Sequence, residues 1–223
     1  MLVKDRMTSD PVTITPDTTF PDAFRTLREA RVRHLPVVDA QGVLVGVIAR
    51  TDLLHAAPSS ATPANGFEMS YLLANLHVRG VMSSPAITVT ETAPLEEAAR
   101  VMVERRIGCL PVTRDGDLVG NLVGDLVGII TETDIFETFV EVLGGGAASL
   151  RVTVVVPDVR GALARVAGVI ADLGGNICSV ARFASGDPEQ CYLTFRLEGV
   201  TEEALVSGLE TQVTEVTHVC CAA

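Results

Sequence analysis

Arg33-His34-Leu35-Pro36-Val37-Val38-Asp39, followed by Gly46-Val47-Ile48-Ala49-Arg50-Thr51-Asp52, returns later in the chain as Gly108-Cys109-Leu110-Pro111-Val112 and Gly128-Ile129-Ile130-Thr131-Glu132-Thr133-Asp134. Each copy sets two short β-branched runs on either side of turn residues, the pattern of a hairpin, and closes on Thr-Asp, which suits a helix start. Working outward, Val3 to Val38 lies over Val78 to Thr113 at a constant offset of 75 residues, with 12 of 36 positions identical. A repeat of this size means two copies of one supersecondary unit, which pack together because roughly 55 residues alone bury too little surface. The space between the copies is the expected ligand site.

Within each copy the spacing predicts a short strand, Val12 to Thr15 and Ile87 to Thr90, then an amphipathic helix. The helices are marked by Phe20, Ala23, Phe24, Leu27 and Val32, and by Leu95, Ala98, Ala99, Met102 and Ile107, close to a 3.6-residue period. The hairpin follows, and a second helix opens near Thr51-Asp52 and Thr133-Asp134. Between Pro111 and Asp134 the second copy is seven residues longer than the first; the excess reads Asp117-Leu-Val-Gly, Asn121-Leu-Val-Gly, Asp125-Leu-Val-Gly. It leaves open whether Gly120 or Gly128 corresponds to Gly46.

The composition is that of a soluble mixed α/β protein. Of 223 residues 48% are hydrophobic, and the mean hydropathy is +0.37, so some apolar surface is expected in a subunit interface. No apolar run approaches the roughly 18 residues of a membrane span, and the first residues lack a signal-peptide core; a cytoplasmic protein is expected. A net charge of −11 without basic clusters argues against nucleic acid, whose binding depends on phosphate neutralisation. Five cysteines, without a C-x-x-C, indicate neither a disulfide framework nor a zinc site. His218 beside Cys220 and Cys221 is the one hint of a soft metal site, and alternation with Val216 reads equally as an edge strand. No metal and no catalytic cofactor are expected.

The quoted motifs resemble a tandem pair of CBS domains over about residues 1 to 140. The resemblance implies a two-site module that senses an adenosine ligand (AMP, ADP, ATP or S-adenosylmethionine). In the second site it places Asp134 on the ribose diol, which one carboxylate can accept in bidentate fashion. Thr131 reaches a phosphate, and the helix start contributes free N–H groups. Ile87, Thr88, Val89, Cys109 and Leu110 line the adenine slot. The first site takes Thr13, Ile14, His34, Leu35, Arg50 and Asp52, with Ala49 where the second copy has Thr131. Locally, Thr133 or Asp134 also reads as a simple helix cap.

After the loop composition of 56–77, expected to hold a short helix, and a Gly-rich stretch at 142–149, the chain changes character. Strands at Leu150 to Val156, Asn176 to Phe183, Gln190 to Leu197 and Val213 to Cys220, with helices on Leu163 to Leu173 and Thr201 to Glu210, give β-α-β-β-α-β, a ferredoxin-like sandwich. With Pro157 to Leu163 and Gly174-Gly175-Asn176-Ile177 this region resembles an ACT domain. That resemblance implies an amino-acid-like effector held by Asp158, Gly161, Asn176 and Ile177, or a device that pairs sheets between subunits. The expected organisation is therefore repeat 1 at 1–55, linker 56–77, repeat 2 at 78–141, linker 142–149 and the ACT-like domain at 150–223. The order of domains resembles the regulators of acetoin utilisation, and implies a homodimer acting on an unknown downstream enzyme. No paired acid and base, no nucleophile triad and no cofactor fingerprint is present, so no enzyme is expected. A pure assembly protein with decayed ligand sites is the competing reading.

Overall fold

The computed structural model describes residues 1–56, 75–114, 125–144 and 149–222. The chain divides into two compact units, Met1–Ile135 and Phe136–Ala223. Residues 57–74 of the expected 56–77 linker, 145–148 of the expected 142–149 linker and the four-residue repeats before Asp125 lie outside the described residues.

In the first unit, helix α1 (Phe20–Glu29) is opened by Thr19, whose Oγ1 accepts the Asp22 N–H at 3.4 Å, and by a proline in its first turn, where the missing N–H costs nothing. Phe20, Ala23 and Leu27 form its buried stripe. Strands β2 (His34–Val38) and β3 (Leu44–Ala49) pair antiparallel. Asp39 holds the turn between them, its Oδ1 accepting from Gln41 N and Val43 N at 2.9 Å, and Gly42 takes φ +82°. Helix α2 (Arg50–Ala56) starts directly from β3. The second repeat gives β4 (Val89–Thr90), α3 (Leu95–Arg105), β5 (Cys109–Thr113), β6 (Leu126–Thr131) and α4 (Glu132–Val142). Two apolar clusters result, one built on Leu35, Ile48 and Leu53, the other on Leu110, Val112 and Ile130. The strand expected at Val12 to Thr15 is reduced to a single parallel bridge from Ile14 to Val37, and that at Ile87 to Thr90 to β4 alone.

The repeats are joined through their leading segments. Strand β1 (Thr8–Ser9), in the leading segment of repeat 1, pairs with Ile129 and Gly128 of repeat 2. Reciprocally, Val47 N donates to Ser83 O at 3.0 Å and Ser83 N to Val47 O at 2.9 Å, placing the leading segment of repeat 2 on the sheet of repeat 1. Both crossings pass over a glycine. A Cβ on Gly46 would lie 2.8 Å from Ser83 O and 2.9 Å from Met82 Sδ; one on Gly128 would lie 2.6 Å from Met7 Sδ and 2.9 Å from Thr8 O. Gly128 is thus the counterpart of Gly46.

The second unit runs β7 (Ser149–Pro157), α5 (Ala162–Asp172), β8 (Asn176–Ala184), β9 (Gln190–Glu198), α6 (Glu202–Leu209) and β10 (Glu215–Ala222). Its antiparallel sheet has the order β10-β7-β9-β8. Val152, Val154 and Val156 alternate with Leu193, Phe195 and Leu197 on one face, against Val166, Ile170, Leu205 and Leu209 of the helices. Gly208, a weak helix former, lets α6 approach α5: a Cβ there would meet Leu173 Cδ1 at 2.9 Å.

Gly46→Ala and Gly128→Ala should each destabilise the protein by about 1–3 kcal/mol, because the methyl group forces the crossing strand outward. Urea denaturation checks this, and midpoints equal to the unsubstituted chain contradict it.

Candidate functional site

The crossing of the leading segments builds two related clefts within Met1–Ile135. In the first, of about 420 Å³, Thr131, Thr133 and Asp134 face Asp10, Pro11, Val12 and the Arg31 to His34 stretch. In the second, of about 300 Å³, Asp52 and Ala49 face Pro85, Ala86 and Ile87, with Arg106 and Cys109. Each cleft therefore takes its carboxylate from one repeat and its apolar wall from the other. His34 lines both.

The two carboxylates are held alike. Asp52 Oδ2 accepts the Ala49 N–H at 2.8 Å. Asp134 Oδ2 accepts both the Thr131 N–H and the Thr131 hydroxyl, each at 2.7 Å. In both cases strand passes into helix without a break, and the aspartate three residues on satisfies an N–H at the junction. The local capping reading and a ligand-binding reading thus concern the same atom. Asp134 is better anchored, since Ala49 has no hydroxyl to offer.

At equivalent points Arg31 and Arg106 both take φ +55°, a left-handed conformation where glycine is usual after a helix. Each lines one cleft. Side chains other than glycine pay about 1–2 kcal/mol for this backbone, and such strain points to a functional site when it lies at a cleft wall.

The sequence grouping needs correction. Ile87 and Cys109 lie with Asp52, not with Thr131 and Asp134. Val89 and Leu110 are buried in the core of repeat 2, and Ile14 and Leu35 in that of repeat 1. Thr13 is exposed, Thr88 is half-buried, and neither lines a described cleft. Arg50 lies beside Phe24, outside both clefts, its guanidinium 5.8 Å from the ring centroid. Residues that the sequence reading missed include Asp10, Pro11 and Val12, and on the other side Pro85, Ala86 and Arg106. Their signal was present: Met7-Thr8-Ser9 and Met82-Ser83-Ser84 align at the offset of 75.

Burial, reinforced by the neighbouring Arg33 guanidinium, holds the His34 imidazole below its ordinary value of 6.5, against the opposing pull of Glu132 and Asp52. Cys109 is pushed up to about 12 by burial, with Asp52 and Glu132 adding to the shift, so its thiol stays protonated and unreactive. Among the described residues no group of three His, Cys, Asp or Glu is arranged to hold a metal. His218 and Cys220 stand opposite Thr153 and Arg151, while Cys221 stands opposite Leu150, so adjacent strand positions place the two cysteines on opposite faces.

In the second unit the four expected effector residues are divided. Asp158 follows the end of β7, its N–H donating to Glu189 O at 2.8 Å, and its carboxylate accepts from Arg182. Gly161 is the N-cap of α5, at φ +81°. Asn176 opens β8 opposite Glu198, at the other end of the sheet. The length of β8, about 26 Å at 3.3 Å per residue, separates the two pairs within one chain.

The sequence pattern of the CBS domain matches residues 3–59 and 78–141, more than half of the chain, and the protein belongs to the CBS-domain family as a tandem pair. It is similar to a CBS domain-containing protein of Dictyostelium discoideum, 32% identical over 144 residues, covering 64% of this chain and 94% of that protein. The structure is similar to that of a putative acetoin utilization protein, AcuB, from Vibrio cholerae: 33% identity, TM-score 0.50, 65% of this chain and 93% of that one. It is also similar to a Methanocaldococcus jannaschii protein described as a putative archaeal homolog of g-AMPK, with 27% identity and TM-score 0.52 over 63% of this chain and 50% of that one. Residues 142–223 lie outside the matched CBS spans. No helix among the described residues is long and apolar enough to cross a membrane.

The unfolded chain binds a proton at His34 more readily than the folded one, so this residue's contribution to stability is full above about pH 6.5 and is lost as the pH falls through the lowered folded value. His34→Gln should flatten the decline in denaturation midpoint between pH 7 and pH 5. A pH profile unchanged by the substitution contradicts this.

Proposed function

We propose that the protein is a non-catalytic regulator that binds an adenosine ligand, from among AMP, ADP, ATP and S-adenosylmethionine, in its CBS clefts. The observation that carries this reading is Asp134 at the floor of a cleft with apolar walls. Its Oδ2 is fixed by two Thr131 donors at 2.7 Å, so the carboxylate is already oriented toward a pair of incoming hydroxyls. Pro11, Val12 and Val32 offer a slot for a flat base. The first turn of α4 adds N–H groups toward a phosphate. Membership of the CBS family supports the same ligand class. The Asp52 cleft, without the threonine hydroxyl, binds more weakly.

The C-terminal β-α-β-β-α-β unit acts as an ACT-like domain. Because Asp158 and Asn176 stand at opposite ends of one sheet, an amino-acid-like effector would be held between two subunits, each supplying one end. Phe136, Phe139 and Val140, more than half exposed at successive turns of α4, supply an apolar stripe for a homodimer. Ligand in the cleft biases the dimer between two arrangements, and thereby a downstream enzyme, through its differential affinity for them. Similarity to the acetoin utilization protein supports a setting in acetoin or related carbon catabolism in the cytoplasm. A structural assembly protein is the second reading, favoured by Ala49 in place of a threonine in one site.

Titration calorimetry with the four ligands tests this. Binding to the unsubstituted chain that Asp134→Ala reduces at least tenfold is expected. At a ligand concentration of 100 times the dissociation constant the melting transition should gain about 2.7 kcal/mol of stability. An absence of binding by all four ligands would favour the assembly role.

A further inference from the structure

Four arginines, Arg28, Arg31, Arg33 and Arg50, surround one concavity of about 240 Å³ beside Phe24. In a chain of net charge −11 this is a local excess of one sign. Among the described residues none of the four is ion-paired with a carboxylate. Arg50 occupies the first position of α2, where the positive end of the helix dipole disfavours a cation. Its only described side-chain partner is the face of Phe24. Like charges gathered without counter-charge repel one another, so the arrangement is unfavourable until an anion enters.

The concavity continues the Asp134 cleft. Arg31, Val32 and Arg33 line both. Arg33 stands at the boundary, its Nη2 donating to Thr133 Oγ1 at 2.6 Å, beside the hydroxyl end of the cleft where a first phosphate would lie. The second repeat lacks most of these charges. At the offset of 75, Arg28 and Arg33 become Val103 and Gly108. Arg50, whose N–H donates to Arg33 O at 2.9 Å, corresponds to Glu132, whose N–H donates to Gly108 O at 3.1 Å. Arg106 alone is kept. The charge asymmetry between the clefts thus comes from three positions.

We infer that the Asp134 cleft selects a nucleoside polyphosphate, whose β- and γ-phosphates run into the arginine concavity, whereas the Asp52 cleft favours a ligand with one phosphate or none. The inference rests on the adenosine-binding reading and narrows its ligand. Guanidinium groups match phosphate oxygens bidentately, and four of them answer the roughly four negative charges of a triphosphate. Arg28 and Arg50 set the preference because they line only the concavity. S-adenosylmethionine, a cation, is excluded from this cleft.

Calorimetry with adenosine, AMP, ADP and ATP, on the full chain and on the Arg28→Gln/Arg50→Gln variant, tests it. Both arginines are exposed, so the variant is expected to fold. Affinity should rise about tenfold from AMP to ATP in the unsubstituted chain, about 1.4 kcal/mol, and weaken with added salt more steeply for ATP. In the variant the ratio of ATP to AMP affinity should fall to near one. Equal affinity for AMP and ATP in the unsubstituted chain, or a ratio that survives in the variant, overturns the inference and leaves the adenosine reading intact. If no adenine ligand binds, or if Asp134→Ala leaves ATP affinity unchanged, the adenosine reading of the Asp134 cleft fails and the inference with it, even where inorganic tripolyphosphate still binds.

Discussion

The reciprocal strand addition at Gly46 and Gly128 is the constraint on which the rest of the CBS pair depends. Thr8 and Ser9 lie on the sheet of the second repeat, and Ser83 on that of the first. Each crossing packs backbone against backbone at a distance that admits no Cβ. The first consequence is mechanical: each sheet includes a segment that leads into the other repeat, so neither repeat completes its sheet alone. The second is chemical. The chain leaving each crossing runs past the other repeat's strand-to-helix junction, and so sets Pro11 and Val12 against Asp134, and Pro85 and Ile87 against Asp52.

The two clefts share a backbone plan and differ in side chains. Both use an aspartate that satisfies an N–H at the end of a strand, and both carry a left-handed arginine in the wall. Thr131 against Ala49 gives the Asp134 cleft one further oriented hydroxyl. Arg33 against Gly108 and Arg50 against Glu132 place the additional positive charge beside the Asp134 cleft. His34, common to both walls, sits among Arg33, Glu132 and Asp52, so a change of charge in either cleft is felt at the imidazole that lines the other. A duplicated unit has in this way acquired two unequal sites without a change of fold.

Much of the fold was legible in the sequence because the hydrophobic pattern that selects helix or strand is local. The second helices begin at Arg50 and Glu132, one residue before the expected Thr51 and Thr133. The strands of the second unit lie within two residues of their expected ends. The site was legible by residue type and less so by grouping. Ile87 and Cys109 were assigned to the same cleft as Asp134, yet the exchange of leading segments carries them to Asp52. Nothing in the period of an isolated strand encodes which sheet it joins, and β1 and β4 are only two residues long. Leu35 and Leu110 look alike in the motif and are spent on the core. The division of Asp158 from Asn176 follows from sheet topology, since both precede or follow strands that run the same way.

Hydrogen exchange with and without ATP tests the composite cleft most directly. The account predicts that ligand slows exchange together at 8–12, 30–34 and 129–134, three segments distant in sequence and joined only by the crossing. Protection shared between 131–134 and 87–89, with 8–12 unaffected, would contradict it.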